Sequence, residues 1–446
     1  MNQSIEPQAS ESLPRGPLAS QWVENPINTV TLDPSESVAL PLTEPGQARA
    51  ETTLPSASAV TPSTFSSYDP PISRKLMEGI CGLSTNTLIK YEAEGIIHPH
   101  KVRHGGLEVV TYRVTDVQAV LKKRGQTFKK RDTAEVIAIF SQKGGVGKSA
   151  FAQHLGAMLS LVGRVLVIDL DSQSDVTSLF GLNVKFSDLV AEDAELDPTI
   201  AELMNWKLKG GRDSPYRRVP FQDVVKKISP TLHVIPADLD LGEINYSLNR
   251  LELEDEVDAN GNVKPAILYM IENVIESIQD QYDFILFDCP PNIETCNVNA
   301  LFASNRVIVP LELEAKCLKT MRRNEDFLNR LRDLHPGFQW EKILVVPNKF
   351  KRENIKIKAL AKLQDIYFDR TDVQLSQAVF PNGAIIDRCS ESREPVFVAA
   401  TRYGKEFKTA VPQAKEFTDL FWVVMHEILD LPIDHLVFSE TQNMEA

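Results

Sequence analysis

Two lysines, a serine and three glycines between positions 143 and 149 carry the sharpest chemistry in the sequence, Lys143-Gly144-Gly145-Val146-Gly147-Lys148-Ser149. Glycines let backbone N–H groups close on phosphate oxygens, a helix N-terminus favours anions, a lysine reaches the β- and γ-phosphates, and a hydroxyl coordinates magnesium. Gly144, Gly145, Val146, Gly147, Lys148, Ser149 and Ala150 are therefore candidate nucleotide-binding residues; the bland alternative is a tight turn before a helix. The usual spacing, glycine then four residues then Gly-Lys-Ser, needs glycine at 142. Gln142 stands there, and Lys143 is an extra cation. Three acids fall at the ends of apolar runs: Asp169 and Asp171 after Val165–Ile168, and Asp288 after Phe284–Phe287. A carboxylate so placed beside a phosphate loop holds magnesium through water. Asp169 or Asp171 could instead cap the next helix.

These side chains need a scaffold, and the apolar runs describe one. Val136–Phe140, Arg164–Ile168, Leu232–Ala237, Asp283–Phe287, Arg306–Leu311 and Lys342–Pro347 read as buried strands separated by helical stretches. That pattern gives an α/β fold with a doubly wound, mostly parallel sheet, whose ligands sit at the carboxyl ends of the strands. The last long helix, Lys415 to Leu429, carries Phe417, Leu420, Phe421, Val424 and Ile428 on one face. Its polar face is acidic, which argues for packing on the core rather than on a membrane.

At 446 residues the chain holds two or three domains, and its net charge of −13 confines any nucleic-acid contact to local patches. Five scattered cysteines without metal-ligand spacing suggest reduced thiols. The start has no signal-peptide pattern and no segment is apolar enough to span a bilayer, so a soluble cytoplasmic protein is expected.

Residues 1–70 are rich in Pro, Ser, Thr and Glu and are expected to be disordered. Residues 71–131 change character: from Ile72 to Arg131, twelve Lys and Arg oppose five Asp and Glu. Ser73 and Ser84 can each cap a short helix, the second running from Thr85 to Glu94 and stopping at Gly95. This is the size of a helix-turn-helix with a basic linker behind it; a small hairpin packed on the next domain is the alternative. Residues 132–434 form the nucleotide domain and 435–446 a tail.

The run Lys143 to Ser149 resembles the deviant phosphate loop of the ParA/MinD class, and Asp288-Cys289-Pro290-Pro291 resembles that class's strand-end motif. The resemblance implies that Lys143 acts across a dimer on the other subunit's nucleotide. It makes Asp171 the water-orienting residue and Asp169 a support of the metal shell, with Ser149 and Asp288 on magnesium. It further places Asn348, Pro381 and Asn382 around adenine. Separately, Leu83 to Glu92, Gly95-Ile96-Ile97 and Tyr112-Arg113 resemble a MerR-type winged helix-turn-helix. On that likeness Thr85, Asn86, Thr87 and Lys90 face DNA, with Arg103 and His104 on its backbone. Lys351, Arg352, Lys358 and Lys362, and a segment around Arg402, match late basic residues with which ParA proteins bind DNA without sequence preference; a solvated helix face would look the same.

Together the two likenesses resemble a long-form ParA partition ATPase. That implies ATP, ADP and Mg2+ as cofactors, a homodimer, a ParB-type partner that triggers hydrolysis, non-specific and operator-specific DNA binding, nucleoid association and no membrane. Alternative readings are a nucleotide-regulated repressor with little turnover and a MinD-like positioning ATPase.

Overall fold

The structure, a computed structural model, describes residues 72–104, 107–125, 133–182, 198–208, 219–242, 256–257, 263–264, 275, 278–334, 338–397 and 410–430. The expected tails 1–70 and 435–446, the wing tip at Gly105-Gly106, the basic run 129–131 and the Arg402 segment lie outside them.

The N-terminal part opens with β1 (Ile72–Ser73), α1 (Arg74–Cys81) and α2 (Thr85–Ala93). Both serine caps form, Leu76 N donating to Ser73 Oγ at 3.4 Å and Thr87 N to Ser84 Oγ at 3.3 Å. Helix α2 ends one residue sooner than expected, with Glu94 as its cap and Gly95 at φ +70° turning the chain. Strands β2 (His100–His104) and β3 (Leu107–Tyr112) follow, and β1 adds to β3 in a three-stranded sheet. Helix α3 (Val114–Lys123) starts with Asp116 accepting from Arg113 N at 2.8 Å.

The nucleotide domain runs β4 (Glu135–Ile139), α4 (Lys148–Leu159), β5 (Val165–Asp169), α5 (Asp175–Leu179), α6 (Ile200–Leu208), α7 (Phe221–Val224), β6 (Lys226–Ser229) and β7 (Leu232–Ile235). A pair of two-residue antiparallel strands, β8 (Glu256–Val257) and β9 (Val263–Lys264), precedes β10 (Phe284–Asp288), α8 (Thr295–Ala303), β11 (Arg306–Glu312), α9 (Cys317–Leu334) and β12 (Lys342–Asn348). Then come α10 (Asn354–Tyr367), β13 (Gln374–Leu375), α11 (Ala384–Ser392) and α12 (Ala410–Leu429).

Eight strands form one sheet in the order β13-β12-β11-β4-β10-β5-β7-β6, parallel except for β6 against β7. Every residue of β4, β5 and β10 is buried, as strands covered on both faces require. The sheet order brings β10 between β4 and β5, with Asp288 beside Ile139 on one flank and Asp169 on the other. Helix α4 lies tight on the sheet because Gly156 is small: a Cβ there would stand 2.8 Å from Val167.

Arg306, buried at the start of β11, ties three elements: it donates to Glu135 at 2.8 Å, to Glu341 at 2.7 Å and to the Ile428 carbonyl at 2.7 Å. Arg306→Ala removes the guanidinium from the buried Glu135 carboxylate, which the Asn305 amide also meets at 3.2 Å, and we expect a loss of about 3–5 kcal/mol in urea unfolding. Adding Glu135→Gln should restore part of it; a single-variant loss under about 1 kcal/mol would show that the network is not structural.

The N-terminal region is not a loosely tethered module. Leu76, Met77 and Ile80 of α1 share one apolar core with Phe417, Phe421 and Trp422 of α12. From α3, Gln118 Nε2 donates to the Ser160 carbonyl at 2.8 Å and to Thr231 Oγ1 at 3.0 Å, at the far end of α4 from the phosphate loop.

Candidate nucleotide site

The loop between β4 and α4 opens onto a cavity of about 840 Å³ lined by Gly144, Gly145, Gly147, Lys148, Ser149, Ala150 and Asp171, and also by Pro291, Asn292 and Arg393. Gly147 caps α4 at φ +93°, a conformation a side chain resists, and so presents the helix's first N–H groups to the cavity. Lys148 is buried, its amine 3.4 Å from the Lys143 carbonyl. Burial pulls its pKa down, against the charges of Asp288, Asp171 and Asp175, which favour the ammonium.

Asp288 is fully buried, and neither oxygen has a hydrogen bond among the described residues. Burial, reinforced by the neighbouring Asp169 charge, pushes its pKa well above the ordinary value; Ser149 and Lys148 oppose that only in part. Orphaned carboxylate oxygens beside a phosphate-loop hydroxyl are what a divalent cation with its water shell would complete.

Asp169 differs. Its oxygens accept from Asp171 N at 3.0 Å, Thr177 N at 2.9 Å and Thr177 Oγ1 at 2.7 Å. These bonds commit the carboxylate to shaping the loop that carries Asp171. Asp171 lines the cavity and accepts from Gln173 N at 3.0 Å.

Lys143 does not line this cavity. Its amine lies 2.7 Å from Glu312 and 3.0 Å from Glu314, at the end of β11, and the side chain keeps 28% of its exposure. Burial would lower the Lys143 pKa, but the two carboxylates raise it overall. Burial likewise works against ionising Glu312, yet Lys143, Lys349 and Lys356 hold its carboxyl below the usual range. Neither glutamate was visible as a partner in the sequence, because β11 pairs with β4 from 169 residues away.

Asn348 ends β12 against the loop, Nδ2 donating to the Val146 carbonyl at 2.8 Å and Oδ1 accepting from Lys349 N at 2.8 Å. Lys349, at φ +54°, reaches the Gly145 carbonyl at 2.5 Å; it was not singled out in the sequence. Pro381 bridges to Phe350, and Asn382 N donates to the Phe350 carbonyl at 2.9 Å, so both stand near Asn348.

On α2, Asn86 and Lys90 are exposed, Lys90 lying 3.8 Å from Glu94. Thr85 is also exposed, but its hydroxyl bonds Glu78, and Thr87 is half-buried with its hydroxyl 3.0 Å from Ser84 Oγ. Ile89, 46% exposed, shares their face. Arg103 lies on β2 in register with Glu108. Lys351, Arg352, Lys358 and Lys362 are all exposed, the last two one turn apart on α10.

His154, in the second turn of α4, is 2% exposed, and burial drives its pKa down to about 3. The unfolded chain titrates near 6.5, so as pH falls below that only the unfolded state gains this proton and stability is lost. Relative to His154→Phe, the wild type should lose about 2 kcal/mol more between pH 7 and pH 5. Parallel pH slopes in denaturant melts would refute it.

A parallel sheet whose central strand feeds a glycine loop and a buried lysine, beside a buried strand-end carboxylate, defines a P-loop NTPase fold. A family model described as "AAA domain" matches residues 134–336. The chain is 26% identical over 273 residues to "Sporulation initiation inhibitor protein Soj" of Bacillus subtilis, covering 59% of this chain and 90% of that one. It is 31% identical over 205 residues to "Chromosome-partitioning ATPase Soj" of Treponema pallidum, covering 44% and 66%. Among solved structures, one described as "Partition Protein" superposes with a TM-score of 0.50 at 18% identity, covering 81% of this chain and 93% of that one, a likeness of fold. The chain belongs to the ParA-type family of partition ATPases. No helix among the described residues is long and apolar enough to cross a membrane.

Proposed function

We propose that this protein segregates DNA by an ATP-dependent cycle: ATP closes a homodimer, the dimer binds DNA without sequence preference, and a ParB-type partner triggers hydrolysis and release. The observation that carries the reading is the division of labour between the two lysines. Lys148 is buried and lines the cavity of its own loop, whereas Lys143 stands outside that cavity, half-buried and held by Glu312 and Glu314. A cation so placed serves a phosphate that approaches from another molecule better than its own.

In this reading the loop amides from Gly144 to Ala150 and Lys148 bind the phosphates, and Ser149 and Asp288 hold Mg2+. The ion, when bound, neutralises charge developing on the phosphates. Asp171 orients the attacking water and Asp169 fixes the backbone that carries it. Asn348, Pro381 and Asn382 flank adenine. Lys351, Arg352, Lys358 and Lys362 contact DNA without sequence preference, a role also proposed for Arg402, which lies outside the described residues, and this suits a nucleoid-associated cytoplasmic protein.

The winged helix-turn-helix is proposed to repress the protein's own operon, with Asn86 and Lys90 of α2 on the DNA, Thr85 and Thr87 beside them and Arg103 in the wing. Its docking on α12 and on the end of α4 supports control by the bound nucleotide, ADP favouring the operator-binding form.

The test is sizing by gel filtration with light scattering, with ATP, ADP and no nucleotide. A dimer is expected with ATP alone, and hydrolysis should rise when DNA and the product of the neighbouring partition gene are added. A protein that stays monomeric with ATP and Mg2+ would exclude the cycle.

A further inference from the structure

A second cavity, of about 80 Å³, meets the phosphate loop at Gly147 and Ala150. Buried aromatic rings wall it: Phe151, Phe380, Phe417 and Phe421, with Phe380 and Phe421 centroids 4.8 Å apart. Asn348 and Asn382, more exposed, lie towards its rim. The space suits a few waters or the edge of a flat ring and is too small for a whole nucleobase.

His154 lines this cavity. Val396 N donates to its Nδ1 at 3.3 Å, so the neutral ring carries its proton on Nε2. Nε2 is buried and has no partner among the described residues. A buried N–H left in this state is destabilising unless an acceptor enters to meet it. Asn348 already spends both ends of its amide on Val146 and Lys349, which leaves the imidazole with an uncommitted buried donor.

We infer that His154 is a base-positioning residue: its Nε2–H donates to a ring nitrogen on the inward edge of a purine base, directly or through one water in the cavity. The inference rests on the loop being an ATP site. It predicts that base recognition comes from the second turn of the phosphate-loop helix as well as from the segments at Asn348 and Pro381.

The experiment is a fluorescence titration of the full chain with ATP and with 1-deaza-, 3-deaza- and 7-deaza-ATP, each of which replaces one ring nitrogen by C–H. Wild type should bind one of the three about tenfold more weakly than ATP. His154→Phe keeps an aromatic ring against Phe421 but has no donor; it should bind ATP about tenfold more weakly and no longer distinguish that analogue. His154→Leu serves the same comparison should the phenylalanine not fold. Equal wild-type affinity for ATP and all three analogues overturns the role of His154 while leaving the ATP site standing, as does discrimination that survives in the variants. A wild type that does not bind ATP overturns both.

Discussion

Replacing Lys143 by alanine should lower ATP hydrolysis at least 10³-fold in the presence of DNA and partner, while ATP binding by the single chain stays nearly unchanged. A cation delivered in trans to a transferring phosphoryl group contributes on the order of 10³–10⁵ in rate, and Lys148, Ser149 and the loop amides proposed to bind the nucleotide in cis are untouched by the substitution. The geometry adds a condition. In the single chain the Lys143 amine is 2.7 Å from Glu312 and 3.0 Å from Glu314, so it must leave two carboxylates before it reaches another subunit. Partly exposed pairs of this kind stabilise by about 1 kcal/mol or less each. That is small beside the attraction of a triphosphate, so the hold is one ATP can break. Glu312→Gln with Glu314→Gln should therefore make the ATP dimer form at lower nucleotide concentration, opposite in sign to Lys143→Ala. Phosphate release and light scattering separate the variants; turnover in Lys143→Ala equal to wild type would remove the trans role.

What the sequence made legible follows from how each feature is encoded. The strand–loop–helix at 135–159 and the strand ending in Asp288 are local: a strand buried on both faces must be apolar throughout, and a loop that approaches phosphate must carry glycine. The serine caps of α1 and α2 are local too, each needing only a hydroxyl three residues before its N–H partner. Features that depend on strand order were hidden. The chain passes from β4 to β5 and returns 115 residues later to insert β10 between them, so nothing near Asp169 announces Asp288 as its neighbour. The same permutation hid Glu312 and Glu314 from Lys143. The strand-end position of Asp169 was legible; that its oxygens accept from Asp171 and Thr177 depends on where α5 turns back, which has no periodic signature. The basic excess of 72–131 suggested DNA, yet the docking of this region through α1 and Gln118 rests on ordinary apolar and amide side chains.

Asp288→Asn should separate catalysis from stability in opposite directions. Hydrolysis is expected to fall at least 10³-fold, because the amide offers magnesium no negative charge and the phosphates lose the ion that neutralises them. Without nucleotide and with chelator present, the variant should nevertheless melt above wild type. The Asp288 carboxylate is fully buried with no hydrogen bond to either oxygen among the described residues, and the neighbouring Asp169 charge makes ionisation harder. An amide of the same shape removes that charge, while Lys148 keeps Asp171 and Asp175 as counter-charges. A gain of about 1–3 kcal/mol is expected at neutral pH, a few degrees in a domain of this size. The pH dependence has a fixed sign. The folded carboxyl titrates well above its ordinary value of 3.8, so the unfolded chain releases its proton first as pH rises and wild type loses stability that the variant keeps. The gap between the two melting temperatures should be near zero at pH 4 and widen towards pH 8. Saturating ATP and Mg2+ should reverse it, since only wild type gains the binding energy of the complex. A variant that melts below wild type in chelator at pH 8 would show that the carboxylate is satisfied by the protein itself, and the assignment of Asp288 to the metal would fall.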